Sequence, residues 1–253
     1  MTYGLYLSAT GVLASSYRQD VYANNLANTE TVGFKRDVAT FQEQLTEAQL
    51  RRLNPASHSD RTLEGLGGGI KVLPTLVDSS PGEVEETHNP LDQAIQGPGF
   101  FTVKDHGRTL LTRDGRFAVD RQGFLSLASG GHLVLDDKGS PIKLQAGAPV
   151  SIERDGRVLQ NGQAVAKVGV FDVPDRQKLS KTGASLLQGP EAKQLRPVDS
   201  LLRGGFIERS NAEPTTELTA LLDAQRQLEA NANLIRYQEL TLTRLVNDVG
   251  KIG

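Results

Sequence analysis

At 253 residues the chain can bury a real core, either as one domain or as a domain with extensions. Only 38% of it is hydrophobic, with 8 Phe, 5 Tyr and no Trp, so some of its length lies outside any compact core. The 28 basic and 30 acidic residues leave a net charge of −2 with no long block of either sign, which excludes a nucleic-acid footprint, and the absence of cysteine excludes disulfides, thiolate metal sites and thiol nucleophiles.

The N-terminal residues 1–28 lack the basic start, unbroken apolar run and small-residue cleavage site of a secretory signal. No stretch reaches the roughly 18 apolar residues that span a bilayer. The expectation is a soluble chain, or one exported without a cleaved signal. Leu5, Ala9, Val12, Ser16, Gln19, Ala23 and Leu26 recur at alternating spacings of three and four, which predicts a helix with one weakly apolar stripe. Fixing each residue costs about 1–2 kcal/mol of backbone entropy, and Ala and Ser return little burial, so this helix needs a partner.

Next comes Asn24-Asn25-Leu26-Ala27-Asn28-Thr29-Glu30-Thr31-Val32-Gly33-Phe34-Lys35. Asn28 tolerates the left-handed conformation that ends helices, Gly33 permits a second positive-φ turn, and Thr29 and Thr31 can bond local backbone. Phe34 can then anchor the returning chain. From the residues alone, an ordinary helix cap and loop reads as well. Phe41 and Leu45 stand four apart, a spacing that commonly marks one packed helix face.

Residues 53–89 are rich in Pro, Gly and Ser, with one strand-like run at Ile70–Val77, and read as an extended connector. Over 90–205 the period changes to short strand-like runs at 100–103, 109–112, 116–119, 124–127 and 132–135, with the strongest later run at 164–173. Asp114-Gly115, Gln122-Gly123, Gly130-Gly131, Lys138-Gly139, Asp155-Gly156 and Asn161-Gly162 supply turns between them, which predicts antiparallel hairpins in a small β domain.

The segment 206–253 carries the strongest periodicity. Leu218, Leu221, Gln225, Leu228, Ala232, Ile235, Glu239, Leu242, Val246 and Val249 follow a heptad pattern flanked by charges, with Pro214 to start the helix and Gly250 to stop it. The fold class is therefore α+β. Two coiled-coil-forming end helices, in segments 1–52 and 206–253, pair with each other, and a mostly antiparallel β domain is inserted between them.

Catalytic chemistry finds little to stand on. His58, His88, His106 and His132 have no metal-ligand spacing, and Gly65-Leu66-Gly67-Gly68-Gly69 lacks the Lys-Ser/Thr of a phosphate loop. Glu83, Glu85 and Glu86 form a run that reads as solvated. No catalytic residue, cofactor, metal or small-molecule substrate is expected.

The segment 24–35 resembles the signature that follows the first helix of flagellar rod and hook proteins. Leu91-Asp92, Ala94-Ile95, Gly97-Pro98-Gly99-Phe100-Phe101 and Thr112-Arg113-Asp114-Gly115-Arg116-Phe117 resemble the opening of that family's central β domain. Ser210-Asn211, Glu217-Leu218, Leu222, Gln225-Arg226 and Glu229-Ala230-Asn231 are similar to its closing helix. The resemblance implies a structural subunit of the flagellar basal-body rod, which spans the periplasm. Its partners would be itself, other rod subunits and the flagellar export apparatus.

The assembly interface would run through Leu5, Ala9, Val12, Ala23, Leu26, Leu218, Leu221, Leu228, Ile235, Leu242, Val246 and Val249, and Phe41 with Leu45 would be the element that the export gate recognises. Length and Ala230-Asn231-Ala232-Asn233 favour a proximal-rod type over a distal-rod or hook type. The end helices would order on joining neighbours, with a proteolytic core of about residues 60–205. A coiled-coil interaction module outside that family is the competing reading, and it would close as a dimer.

Overall fold

A computed structural model of the chain describes residues 2–46, 48, 49, 52, 67–145, 147–189, 195–198 and 200–249. It is α+β, and it divides into two compact units, one of residues 1–24, 38–75 and 215–253 and one of residues 25–37 and 76–214.

The first unit is built on two helices, α1 (Thr2–Ala27) and α2 (Pro214–Val249), with a two-stranded sheet of β1 (Asp37–Glu43) and β2 (Ile70–Val77). Pro214 starts α2, where its missing N–H costs nothing, and Glu217 places an acidic side chain in the positive first turn. One face of α1 meets the small sheet. Tyr17 donates its hydroxyl to the Leu73 carbonyl at 3.0 Å and meets Phe41 edge-on at 6.0 Å. The Arg18 guanidinium lies 4.7 Å over the same Phe41 ring, and Tyr6 bonds Gln44 at 3.0 Å.

The second unit holds β3 (Val84–Glu86), β4 (Gln93–Gln96), β5 (Phe100–Asp105), β6 (Arg108–Thr112), β7 (Phe117–Val119), β8 (Leu125–Leu127) and β9 (Leu133–Val134). It continues through β10 (Val150–Ile152), β11 (Arg157–Gln160), β12 (Gln163–Lys167), β13 (Val170–Asp172), β14 (Ser180–Lys181), β15 (Leu186–Gln188), β16 (Arg196–Pro197), β17 (Leu201–Gly204) and β18 (Phe206–Glu208). The main sheet runs β14-β15-β6-β5-β9-β8-β7, with β13 joining it at β5 and carrying β16; β10-β11-β12, β17-β4 and β18-β3 form smaller sheets. All of these pairings are antiparallel.

Alternation explains why β5 and β6 sit at the centre. Successive side chains point to opposite faces, so Phe101, Val103 and Leu110 enter one apolar cluster with Phe117, Leu125 and Leu127, while Phe100 and Leu111 enter a second with Leu179 and Leu187. Both faces of the sheet are thus covered, and the run at 100–103 reads as unbroken rather than alternating.

The early strand-like runs fall on β5 to β9, and Asn161-Gly162 turns β11 into β12 with both residues at positive φ, 53° and 78°. The β5–β6 hairpin turns on His106-Gly107, at φ 43° and 87°, a pair that composition alone does not flag because His is a weak left-handed residue.

Two local expectations are corrected. The single strand expected at 164–173 is two strands, β12 and β13, in different sheets. Gly169 at the break lies so close to the Asp136 main chain that a Cβ there would stand 2.6 Å from its carbonyl oxygen. Asp114-Gly115 is a buried close approach rather than a hairpin tip, since Gln93 N–H bonds the Gly115 carbonyl at 3.0 Å. The β-bearing unit takes in residues 25–37 together with 76–214. Most of the expected connector, 53–66, lies outside the described residues.

Candidate assembly interface

The helices of the first unit run antiparallel, since Gly4 meets Gln238, Gly11 meets Asn231 and Arg18 Nη1 bonds Gln227 Oε1 at 3.1 Å. On α1 the face toward α2 carries Gly4, Ser8, Gly11, Ser15 and Arg18, with Ser8 and Ser15 buried. This register lies one residue before the expected stripe. Leu5 and Val12 are half-buried beside it, and Ala9 and Ala23 are exposed. The cause is distance of approach: a Cβ on Gly4 or Gly11 would stand only 3.0 Å from the Gln238 or Asn231 amide, so small residues let polar side chains lie against the helix backbone.

On α2 the better-buried positions are Glu217, Leu221, Ala224, Leu228, Asn231, Ile235, Gln238 and Leu242. Leu221, Leu228, Ile235 and Leu242 stand where the heptad reading put them. The alternate positions move one residue earlier, leaving Leu218 46% and Val246 70% exposed. The side chain of Val249 lies outside the described residues.

A consequence is that many of the larger apolar side chains lie outside the helix pair. Tyr6, Leu7 and Leu13 on α1, and Leu222, Leu234, Tyr237, Leu240 and Leu245 on α2, are exposed. Phe41 is a half-buried residue of β1. Leu45, just past that strand, is 44% exposed.

Residues 25–35 of the signature segment lie in the second unit, where they have distinct tasks. Asn25, 1% exposed, clasps the Asp37 main chain, donating to its carbonyl and accepting from its N–H, each at 2.9 Å. Leu26 is half-buried and Ala27 exposed; both end α1. Asn28 accepts from the Thr31 hydroxyl at 3.1 Å within the turn, and Asn24 is exposed.

Gly33, at φ +68°, presses against the Arg113–Asp114 backbone, where a Cβ would stand 2.2 Å from Asp114 N. Its own N–H donates to the Glu208 carbonyl at 2.7 Å. Phe34 is 1% exposed, and the Lys181 ammonium lies 3.7 Å over its ring while also pairing with Asp37 at 2.7 Å. Burial pulls the Lys181 ammonium below its ordinary pKa, against the opposing pull of Asp37.

Beside this loop three charged side chains are buried together. Lys35 Nζ bonds Glu208 Oε1 at 2.5 Å and the Ser80 carbonyl at 2.7 Å, and Arg113 Nη1 bonds Glu208 Oε2 at 2.9 Å. Gly82 N–H adds a bond to Glu208 at 3.0 Å, and Arg113 Nη2 donates to the Gly97 carbonyl at 2.9 Å. Side-chain exposures of 1%, 5% and 2% for Lys35, Arg113 and Glu208 put the cluster out of water. Burial acts to raise the Glu208 pKa, but Lys35 and Arg113 outweigh it and hold the carboxyl below its ordinary value. Lys35 is drawn below its ordinary value first by burial, with Arg113 adding to the effect and Glu208 opposing it.

Asn211 extends the network, accepting from Arg36 N–H at 2.7 Å and donating to the Asp78 carbonyl at 2.9 Å. Glu208 escaped the sequence reading because one acidic residue in a short strand has no signature; Lys35, Arg113 and Asn211 lay within motifs but carried no assigned task.

Among the described residues, no group of three or more His, Asp or Glu is placed to hold a metal ion, Glu83, Glu85 and Glu86 are exposed, and no helix is long and apolar enough to cross a membrane.

Comparison with known proteins agrees with this geometry. Residues 5–35 match the family described as flagella basal body rod protein, residues 94–160 the flagellar hook protein FlgE/F/G D1 domain, and residues 203–245 the flagellar basal body rod FlgEFG protein C-terminal region. Each matched stretch contributes one member of the buried cluster: Lys35, Arg113 and Glu208 in turn.

Among curated relatives, the chain is 31% identical to flagellar basal-body rod protein FlgG of Buchnera aphidicola subsp. Schizaphis graminum, over 95% of this chain and 97% of that one. It is 31% identical to FlgF of Mesorhizobium japonicum over 97% of both chains, and 31% identical to FlgF of Caulobacter vibrioides over the full length of both. Relatives of both names match at similar identity. The chain belongs to the flagellar basal-body rod protein family and is a structural subunit of the flagellar basal body.

Proposed function

We propose that the subunit polymerises through its terminal helices, with itself and with other rod subunits, to build the axial shaft that transmits motor torque across the periplasm. The single observation that carries this reading is the division of labour on the helices. Small residues of α1 make its contact with α2, while Leu13, Leu222, Leu234, Tyr237 and Leu240 remain exposed for neighbours. At about 25 cal/mol per Å² of apolar surface, covering such side chains favours assembly even though no one of them is decisive.

The proposed contacts are head-to-tail and do not close, as a shaft requires. Leu234→Glu with Leu240→Glu should leave the circular dichroism of the monomer unchanged while abolishing high-mass assemblies in sedimentation and electron microscopy. Unchanged assembly, or a closed dimer formed by the parent chain, would reject the reading. Within the rod, length and Ala230-Asn231-Ala232-Asn233 favour the proximal position.

Delivery to the rod is by the flagellar export apparatus, with Phe41 and Leu45 as the recognised pair. Phe41→Ala with Leu45→Ala should lower secretion while leaving the β-bearing unit folded, and normal secreted levels would remove the role. No catalysis is proposed.

A further inference from the structure

We infer that the Lys35–Glu208–Arg113 cluster is a charge-gated latch. It allows the loop after the first helix to dock on the β domain only when the segment leading into the last helix is docked with it. The inference concerns the second unit alone and holds whatever the helices assemble with.

Charge balance is the starting point. Two cations and one anion are buried within hydrogen-bonding reach, and among the described residues Glu208 is the only carboxylate paired with either cation. The other nearby acids are engaged elsewhere, Asp78 with Arg36 at 3.0 Å and Asp172 with Arg176 at 2.9 Å. A buried charge without a partner is strongly unfavourable, and two like charges in one buried site are worse. Lys35 therefore cannot settle beside Arg113 until Glu208 is between them.

The main chain enforces the same order. Glu208 ends β18, whose pairing with β3 joins Glu208 to Val84, and its carbonyl receives the Gly33 N–H. Asn211, three residues on, binds Arg36 N–H and closes the other side of the loop. Residues 33–36 are thus held from two sides by residues 208–211, through one charge cluster and through backbone bonds. If 206–211 leaves, the loop loses its acceptors and confronts an unneutralised Arg113; if the loop leaves, Glu208 still has Arg113. The dependence is one-directional, which distinguishes a latch from simple mutual packing.

Hydrogen exchange on the full chain tests this. Glu208→Gln should lower the protection of the amides at 33–37 and at 207–211 at least tenfold each, with a smaller change in the β5–β6 hairpin. Lys35→Met, which leaves the balanced Arg113–Glu208 pair, should keep 207–211 within about threefold of the parent. Adding Lys35→Met to Glu208→Gln should restore much of the protection at 33–37, because it removes one of the two opposed cations.

The latch is overturned if Glu208→Gln loosens 207–211 while 33–37 stays protected, or if the double variant is no better than Glu208→Gln. Should Glu208→Gln unfold the whole chain, the double variant decides: recovered protection supports the latch, and a chain that remains unfolded overturns it.

Discussion

Lys35 Nζ and Glu208 Oε1, 173 residues apart in sequence, are hydrogen-bonded to each other in a site where both side chains are almost completely buried. Their pairing gives stability a defined acid limit. Glu208 has its pKa lowered by Lys35 and Arg113 against the cost of burial, and Asp78 and Asp172 are lowered by backbone and arginine hydrogen bonds that likewise overcome burial. A carboxyl depressed in the folded state contributes stability above its unfolded pKa of about 4 and loses it as pH falls through the lower folded value. Urea midpoints should be flat from pH 7 to 5 and fall steeply below about pH 4, and in Glu208→Gln the fall should be shallower.

Gly33→Ala meets two penalties at once. Its φ of +68° is costly for a residue with a side chain, and the new methyl would overlap the Asp114 backbone nitrogen, a rigid neighbour. The expected loss is about 3–5 kcal/mol by urea denaturation, the range reserved for strain combined with overpacking. A loss below about 1 kcal/mol would show that the loop is not held against the β domain.

Asn25→Ala removes both bonds to the Asp37 main chain, leaving a half-buried N–H and C=O without that partner. The expected cost is about 1–3 kcal/mol. Exchange of the Asp37 amide should rise while the β5–β6 amides, bonded elsewhere, stay slow.

Gly11→Leu tests the small-residue seam. In an exposed helix the change would stabilise by about 1 kcal/mol through propensity, so a gain is the outcome if the face were free. Against Asn231 the added side chain forces the helices apart, and the expected result is a net loss of about 1–3 kcal/mol in the helical thermal transition. Leu13→Ser, at a 64% exposed site on the same helix, should leave that transition within about 0.5 kcal/mol and act on assembly instead.

Much of the fold was legible because it rests on local rules. The strands from 100 to 135 announced themselves through β-rich runs and Gly-containing turns, and α2 through its heptads and Pro214. The seam was misplaced by one residue for a definable reason. Scoring apolar residues assumes that large side chains make the helix contact, whereas Gly4, Ser8, Gly11 and Ser15 make it by being small. That alternation of small residues was present in the sequence at the right spacing and could have been read.

By itself the amino-acid sequence determined the two end helices and the early strands of the β domain, and through three separated motifs it determined the family. Only the tertiary structure decided which helix faces meet, and that Lys35, Arg113 and Glu208, one from each motif, share a buried site. The physical reason is range. Periodicity and turn chemistry act over a few residues, while neutralising a buried charge depends on which distant side chain arrives beside it, and no local pattern encodes that partner.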